Sequence, residues 1–358
     1  MNADGQLGVG MVGCGRITDL GCLGYLDHPR SRVVATCDAD PSLAERRAAE
    51  WGAERWYTSL QALLDDPAVD AVDIATPHHL HADHAVAAIE ADRHVSLQKP
   101  PARTLDEFDR IAHAAGESER VLRVFDNFLY YPPHQRARQL IEEGTIGEPL
   151  SIRIKTAAGR PGDGWEVPWA SQSWRLDVAA SGGGAVTFDH GYHCYSLARY
   201  LVGAEVDRVH AFINWQRFEG GLAADGPAML SWRYQGDPVR YGCWEVVASL
   251  GMKVKSDYYS EDDRVEVTGE KGVLWINRCT GRLLEEPALV VYADGETRAF
   301  HDLDCDWASS FRLGGRAFVD ACLYGGPVVQ DPASARHSLA FALAAAESAE
   351  SGREITPS

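Results

Sequence analysis

The stretch LGVGMVGCGRIT, running from Leu7 to Thr18, decides the fold. Its first six residues form an apolar run short enough for a buried strand, and two further glycines follow where a strand would hand over to a helix. The pattern G-x-G-x-x-G matches Gly8, Gly10 and Gly13, but that match lies inside the strand, where the backbone cannot turn toward a ligand. Gly13 and Gly15 hold the productive place, because a tight strand-to-helix turn brings backbone amides close to a pyrophosphate. Arg16 and Ile17 continue the loop, and Thr18 stands where a third glycine or alanine is expected for close packing of helix on strand.

Reading outward, a second apolar run, RVVATC (Arg32 to Cys37), ends at Asp38, 23 residues beyond Gly15. A carboxylate there accepts hydrogen bonds from adenosine ribose hydroxyls and repels a 2′-phosphate, which favours NAD(H) over NADP(H). Asp40 is an alternative for this role, and capping a surface helix is the ordinary role open to either acid. Three more strand-like runs follow, Asp70 to Ala75, His94 to Leu97 and Val121 to Phe125. Between the runs lie helix-patterned segments, Ser42 to Trp51, Leu60 to Leu64, Ala82 to Ala91 and Leu105 to Ala115. Such alternation predicts a parallel sheet with helices on both faces, an α/β Rossmann dinucleotide-binding domain spanning residues 1–127.

After Pro132 and Pro133 the pattern changes. One helix, Gln135 to Glu143, is followed by runs that read as strands: Ser151 to Thr156, Arg208 to Gln216, Ala228 to Tyr234, Cys243 to Leu250, Arg264 to Thr268, Gly272 to Arg278 and Ala288 to Tyr292. Residues 128–358 are therefore expected to form an α+β domain built on an open, mostly antiparallel β-sheet. An alanine-rich helix, Ala333 to Ala349, closes it.

The chain has 358 residues, with 34 Lys plus Arg against 52 Asp plus Glu, a formal charge of −18. That balance argues against a nucleic-acid partner, whose affinity comes from clustered cations. No uninterrupted apolar run reaches membrane-spanning length, and Met1 to Leu7 lacks the basic and apolar parts of an export leader, so no membrane partner and a cytoplasmic location are expected. The eight cysteines are scattered without a C-x-x-C pair and read as reduced, mostly buried thiols.

Four motifs in order, GCGRI (Gly13 to Ile17), ATPHHLHADHA (Ala75 to Ala85), QKPPA (Gln98 to Ala102) and SGGGAVTFDHGYHCYSLARYLVG (Ser181 to Gly203), make the chain similar to the Gfo/Idh/MocA family of glucose-fructose oxidoreductases and inositol dehydrogenases. The resemblance covers nearly the whole chain. It implies a dinucleotide-binding domain followed by a sheet domain for substrate binding and oligomerisation, with NAD as cofactor. It also implies hydride transfer to or from a secondary hydroxyl of a sugar, cyclitol or glycoside, in a homodimer or homotetramer. The family's motif lysine falls on Lys99, and its D-x-x-x-H pair on Asp189 and His193. The chemistry suits those types: histidine is a proton acceptor near neutrality, and an ammonium stabilises a developing alkoxide. Four residues apart on a helix, Asp189 and His193 share a face, where the carboxylate either orients the imidazole or bonds the substrate.

The resemblance gives Thr76, Pro77, His78, His81, Gln98, Lys99 and Asn127 a place along the cofactor, His81 also being a helix-capping residue. Gln98 departs from the family's acid and withdraws its stabilisation from the neighbouring ammonium. NFLYY (Asn127 to Tyr131) departs from the arginine or histidine common in relatives, leaving Asn127 itself able to serve. The histidines 78, 79, 81 and 84 lack a companion set of ligands, so no metal is expected. Trp165, Trp174 and Arg175, just before the glycine run, suit the C–H faces and polar groups of a carbohydrate, although packing a loop is the plain alternative. Arg160 and Arg175 can meet an anionic group. Two other functions share these residues: glycoside cleavage or elimination through transient oxidation, and a nucleotide-sensing regulator without catalysis.

Overall fold

A computed structural model describes residues 5–160, 164–249 and 251–358 of the chain. The first third forms a six-stranded, wholly parallel sheet of β1 (Leu7–Val12), β2 (Ser31–Cys37), β3 (Arg55–Tyr57), β4 (Ala71–Ile74), β5 (His94–Gln98) and β6 (Leu122–Phe125), in the order β3-β2-β1-β4-β5-β6. The order reverses at β1, so the cleft beyond the carboxyl ends of β1 and β4 is where a ligand of such a sheet binds. Val9, Met11, Ala71, Val72, Ile74, Val95 and Leu97 are fully buried, as strands covered on both faces must be.

The second sheet has eight strands: β7 (Pro149–Ala158), β8 (Val206–Arg217), β9 (Ala223–Tyr234), β10 (Tyr241–Ala248), β11 (Glu261–Gly269), β12 (Gly272–Ile276), β13 (Leu289–Ala293) and β14 (Glu296–Phe300). Their order is β14-β13-β12-β11-β7-β10-β9-β8, and only β7 and β10 pair in parallel. Leu250, the expected end of β10, lies outside the described residues. Alternation along β7, β9 and β11 sends Ile152, Ile154, Leu230, Trp232, Val265 and Val267 into one core beneath the helices Gly191–Val202 and Pro332–Ser351.

The sequence pattern did not announce the helix Trp307–Tyr324. Its Phe318 and Val319 join Leu7, Val9, Met11, Tyr25 and Val33 in one core, so the chain returns from the second sheet to cover the first. Two glycines permit this. A Cβ on Gly315 would stand 2.8 Å from the Cα of Gly24, and one on Gly314 would meet the Phe125 ring at 2.3 Å. Buried Arg123 ties the same seam, donating to Ser96 Oγ (3.1 Å), Tyr25 Oη (3.3 Å) and the Gly314 carbonyl. Among the described residues, no helix is long and apolar enough to cross a membrane.

Candidate active site

A cleft of about 860 Å³ runs from the loop after β1 to the inner face of the second sheet. Gly13 forms the turn. Its φ is +85°, and a Cβ there would lie 2.7 Å from the Ala75 carbonyl oxygen, a fit open only to glycine. Gly15 lines the cleft, and a Cβ on it would meet no atom within 4 Å, so bare backbone faces open space. Thr18 does not hold the helix off: it is buried, and its hydroxyl donates to the Gly15 carbonyl at 2.6 Å. At the end of β2 the two acids separate. Asp40 caps the helix Pro41–Trp51, accepting from the Ser42 amide at 2.9 Å. Asp38 instead braces the loop, accepting from the Cys14 amide at 2.8 Å and from the Asp40 amide at 2.9 Å, while lining the cleft. A carboxylate has lone pairs beyond those two, so it remains competent toward ribose hydroxyls. Turn, bare backbone and acid together fit a dinucleotide.

Arg16, Ile17, Thr76, Pro77, His78, Gln98 and Asn127 also line the cleft. His81 lies behind its wall, fully buried between the carbonyls of Pro100 and Thr76, each 2.8 Å away. Burial pushes its pKa down to about 4, so at neutral pH the ring carries one proton and donates to one carbonyl at a time. It shapes the backbone around the cleft and presents no atom to it. Trp165 likewise packs away from the cleft, edge-on to Tyr258 and Tyr259 with the Arg16 guanidinium 4.3 Å from its ring. Trp174 and Arg175 do stand in the wall.

The deep end gathers the charged groups. Lys99, just after β5, donates through Nζ to Asp189 Oδ1 at 2.5 Å and to the Asp189 carbonyl at 2.9 Å. Arg175 Nε donates to Asp189 Oδ2 at 2.6 Å. Burial opposes ionisation of Asp189, but these two cations outweigh it and hold the carboxyl well below the usual range. Gln98 Oε1 accepts from the Lys99 amide at 3.0 Å. The ammonium therefore takes its carboxylate from Asp189. His78 donates from Nδ1 to the Ser181 carbonyl at 2.7 Å, and burial pushes it to about 3, so it is a neutral wall group.

His193 differs from the sequence expectation in its partner. Residues Ala185–His190 form a π-helical turn ahead of the helix Gly191–Val202, and that wider turn breaks the regular four-residue register between Asp189 and His193. Asp189 turns to Lys99 and Arg175. His193 Nδ1 donates to Asp126 Oδ1 at 2.6 Å, and Ser196 Oγ donates to the other Asp126 oxygen. Asp126 is fully buried, which disfavours its charge, yet the imidazole and the hydroxyl hold it below its ordinary pKa. Burial and then the Lys99 charge lower His193 against the pull of Asp126, so the ring is neutral near pH 7. Phe128 stacks flat on it, centroids 4.1 Å apart and planes 9° apart. With its proton on Nδ1, the Nε2 lone pair is the free one. Asp126 was legible in principle, as an acid directly after a parallel strand at the ligand-binding edge.

Among the described residues, one trio of ligating side chains comes together, His190, Cys194 and Asp263. Both ring nitrogens of His190 face carboxylates, Glu261 Oε1 at 3.3 Å and Asp263 Oδ1 at 3.4 Å, which makes it an ion-paired imidazolium.

One cleft thus joins a dinucleotide-fitting loop to a lysine and a carboxylate-oriented histidine. The comparisons give the family: residues 7–125 match the profile for the oxidoreductase family with an NAD-binding Rossmann fold, and residues 134–275 match the GFO/IDH/MocA C-terminal domain. The chain belongs to the GFO/IDH/MocA family. It is 35% identical over 236 residues to a levoglucosan dehydrogenase of Pseudarthrobacter phenanthrenivorans, covering 63% of this chain and 58% of that protein. The aligned stretch is thus less than two thirds of that relative's length. A myo-inositol 2-dehydrogenase of Thermotoga maritima is 26% identical over 266 residues, covering 74% of this chain and 73% of the relative. In three dimensions, levoglucosan dehydrogenase solved with NADH and levoglucosan superimposes with a TM-score of 0.82 at 24% identity, over 98% of this chain and 99% of that one.

Proposed function

We propose that the chain is an NAD-dependent dehydrogenase acting on a secondary hydroxyl of a sugar, cyclitol or glycoside. One observation carries the reading: His193 is held with Nδ1–H on buried, ionised Asp126, in the same cleft where Asp189 pins the Lys99 ammonium. NAD, when bound, supplies the hydride acceptor at the nicotinamide C4. Gly13, Gly15, Arg16, Ile17 and Asp38 hold its adenosine and pyrophosphate, and Thr76, Pro77, His78, Gln98 and Asn127 flank the remainder. His193 Nε2 takes the hydroxyl proton, and the charge that appears on its ring is met by Asp126. Lys99 donates to the substrate oxygen as negative charge develops there, with Asp189 fixing the ammonium in place. Trp174 and Arg175 form the substrate wall.

The division of labour follows the chain, with residues 1–127 for the cofactor and 128–358 for the substrate and for subunit pairing. Phe212, Met229, Tyr241 and Val247 are exposed on the outer face of the second sheet and support a homodimer or homotetramer there. A cytoplasmic location, with no nucleic acid or membrane partner, completes the proposal. The test is NADH formation against a panel of inositols, aldopyranoses and anhydrosugars, by wild type and Lys99→Met. Substrate-dependent NADH that Lys99→Met loses at least a hundredfold supports the reading. Product without net NADH would mean transient oxidation instead, and equal turnover by Lys99→Met would remove the proposed role of the lysine.

A further inference from the structure

The mechanism leaves one charged cluster in the cleft unused. His190 and Glu261 both line the cavity, beside Tyr259 and close to His193. The His190 and His193 rings are 5.9 Å apart between centroids, and Glu261 Oε1 is 3.3 Å from His190 Nδ1, so the His190 ring links the carboxylate to the surroundings of the proton acceptor. Glu261 opens β11, and its neighbour two residues on, Asp263, points to the same side of the sheet. Asp263 is buried, accepts from Thr156 Oγ1 at 2.5 Å, and holds the far side of the His190 ring. Thr156 is in turn fixed by Trp244 Nε1 at 2.9 Å.

The chain Trp244, Thr156, Asp263, His190 thus ends on Glu261 and holds it from behind. Its members differ in access: the side chain of Asp263 is 1% exposed, that of His190 12% and that of Glu261 26%. Glu261 is the member that solvent or a ligand reaches. Its ion pair uses Oε1, and among the described residues Oε2 accepts no hydrogen bond. With one imidazolium between two carboxylates the group carries a net negative charge, so this wall favours a hydrogen-bond donor and disfavours an anion.

We infer that Glu261, held by His190 and Asp263, is a specificity-determining subsite that accepts a hydrogen bond from a second hydroxyl of the substrate, remote from the oxidised carbon. This rests on the dehydrogenase reading only for the naming of the oxidised carbon. It narrows the substrate class to neutral polyols with a second free hydroxyl besides the reacting one, and it excludes substrates bearing a carboxylate at that position. The positioning role falls to His190, which fixes the carboxylate without touching substrate.

The experiment measures polyol binding to the enzyme saturated with NADH by calorimetry, alongside steady-state turnover with NAD. The best-bound member of the panel is compared with its monodeoxy analogues, on wild type, Glu261→Gln and the shortened Glu261→Asp, with melting temperature and NADH affinity as controls on folding. In wild type, one deoxy analogue binds about ten- to a hundredfold more weakly than the parent, the range for a hydrogen bond to a charged acceptor. Glu261→Gln weakens the parent by a comparable factor, lowers kcat/KM chiefly through KM, and erases most of the penalty for that one analogue. His190→Gln gives a smaller loss of the same selectivity. Variants that bind the parent and every analogue as wild type does would overturn the subsite. If wild type binds polyols through Glu261 yet reduces no NAD, the dehydrogenase reading fails and the subsite stands; if wild type binds no polyol at all, the subsite falls with it.

Discussion

Replacing Asp126 by asparagine isolates the one interaction that makes His193 a base. The carboxylate receives two donors, His193 Nδ1–H at 2.6 Å and the Ser196 hydroxyl, and its surroundings are fully buried. An amide of the same shape has one accepting oxygen. If that oxygen keeps Ser196, the amide NH₂ faces His193, the imidazole proton moves to Nε2, and the lone pair needed for the substrate is lost. If the amide turns the other way, Ser196 redirects its hydroxyl to the His193 carbonyl, already 3.1 Å away, but the negative charge that stabilises the imidazolium is gone. General-base catalysis contributes about 10²–10⁴-fold, so kcat falls by about that factor in either case. Losing a charge-assisted buried hydrogen bond costs about 1.5–3 kcal/mol, and the melting temperature of a chain of 358 residues drops by roughly 2–4 °C. Because Asp126 raises the His193 pKa, its removal moves the acidic limb of the kcat/KM profile to lower pH. Stopped-flow NADH formation across pH 4–9 measures the turnover and the acidic limb, a thermal melt the stability, and NAD affinity by fluorescence serves as the control. A variant within threefold of wild-type kcat and with an unmoved acidic limb would refute the reasoning, since His193 would then need no orienting carboxylate.

Asp38→Ala removes both the proposed ribose acceptor and the acceptor of the Cys14 amide, so NAD affinity falls about ten- to a hundredfold and the preference over NADP narrows, as parallel titrations of the two cofactors would show. His190 carries a pKa raised well above the ordinary histidine value: burial opposes the charge, and Glu261 and Asp263 outweigh it, with Cys194 and His193 as its other neighbours. A raised folded-state pKa gives stability that is fully present below the unfolded value and fades as pH rises through the folded one. Wild type should therefore exceed His190→Gln in melting temperature most near pH 6 and progressively less toward alkaline pH, and a difference growing with pH would contradict the ion pairing.

Much of this molecule is legible in its sequence for physical reasons that can be named. The glycine turn is legible because few residues adopt the φ of Gly13, and Lys99, Asp189 and His193 because motif order places them. The helix Trp307–Tyr324 escapes because Gly314 and Gly315 weaken its helical signature, and those glycines are there to let Gly24 and Phe125 approach. Strands β3 and β14 escape because they are short edge strands; β14 is almost wholly exposed and so shows no alternation. The pairing of Asp126 with His193 spans 67 residues, and no local period reports a contact of that separation. The expected facing of Asp189 and His193 assumed α-helical register, and the π turn at Ala185–His190 removes that assumption.

The central claim is that hydride leaves a carbinol carbon in this cleft as His193 accepts the hydroxyl proton. It is tested most directly with the best polyol of the panel carrying deuterium on the carbinol carbon. The account predicts NADH carrying that deuterium on a single face of C4, at a rate that His193→Ala lowers by about 10²–10⁴-fold while still binding NAD. Unlabelled NADH, or equal label transfer by His193→Ala, would contradict it.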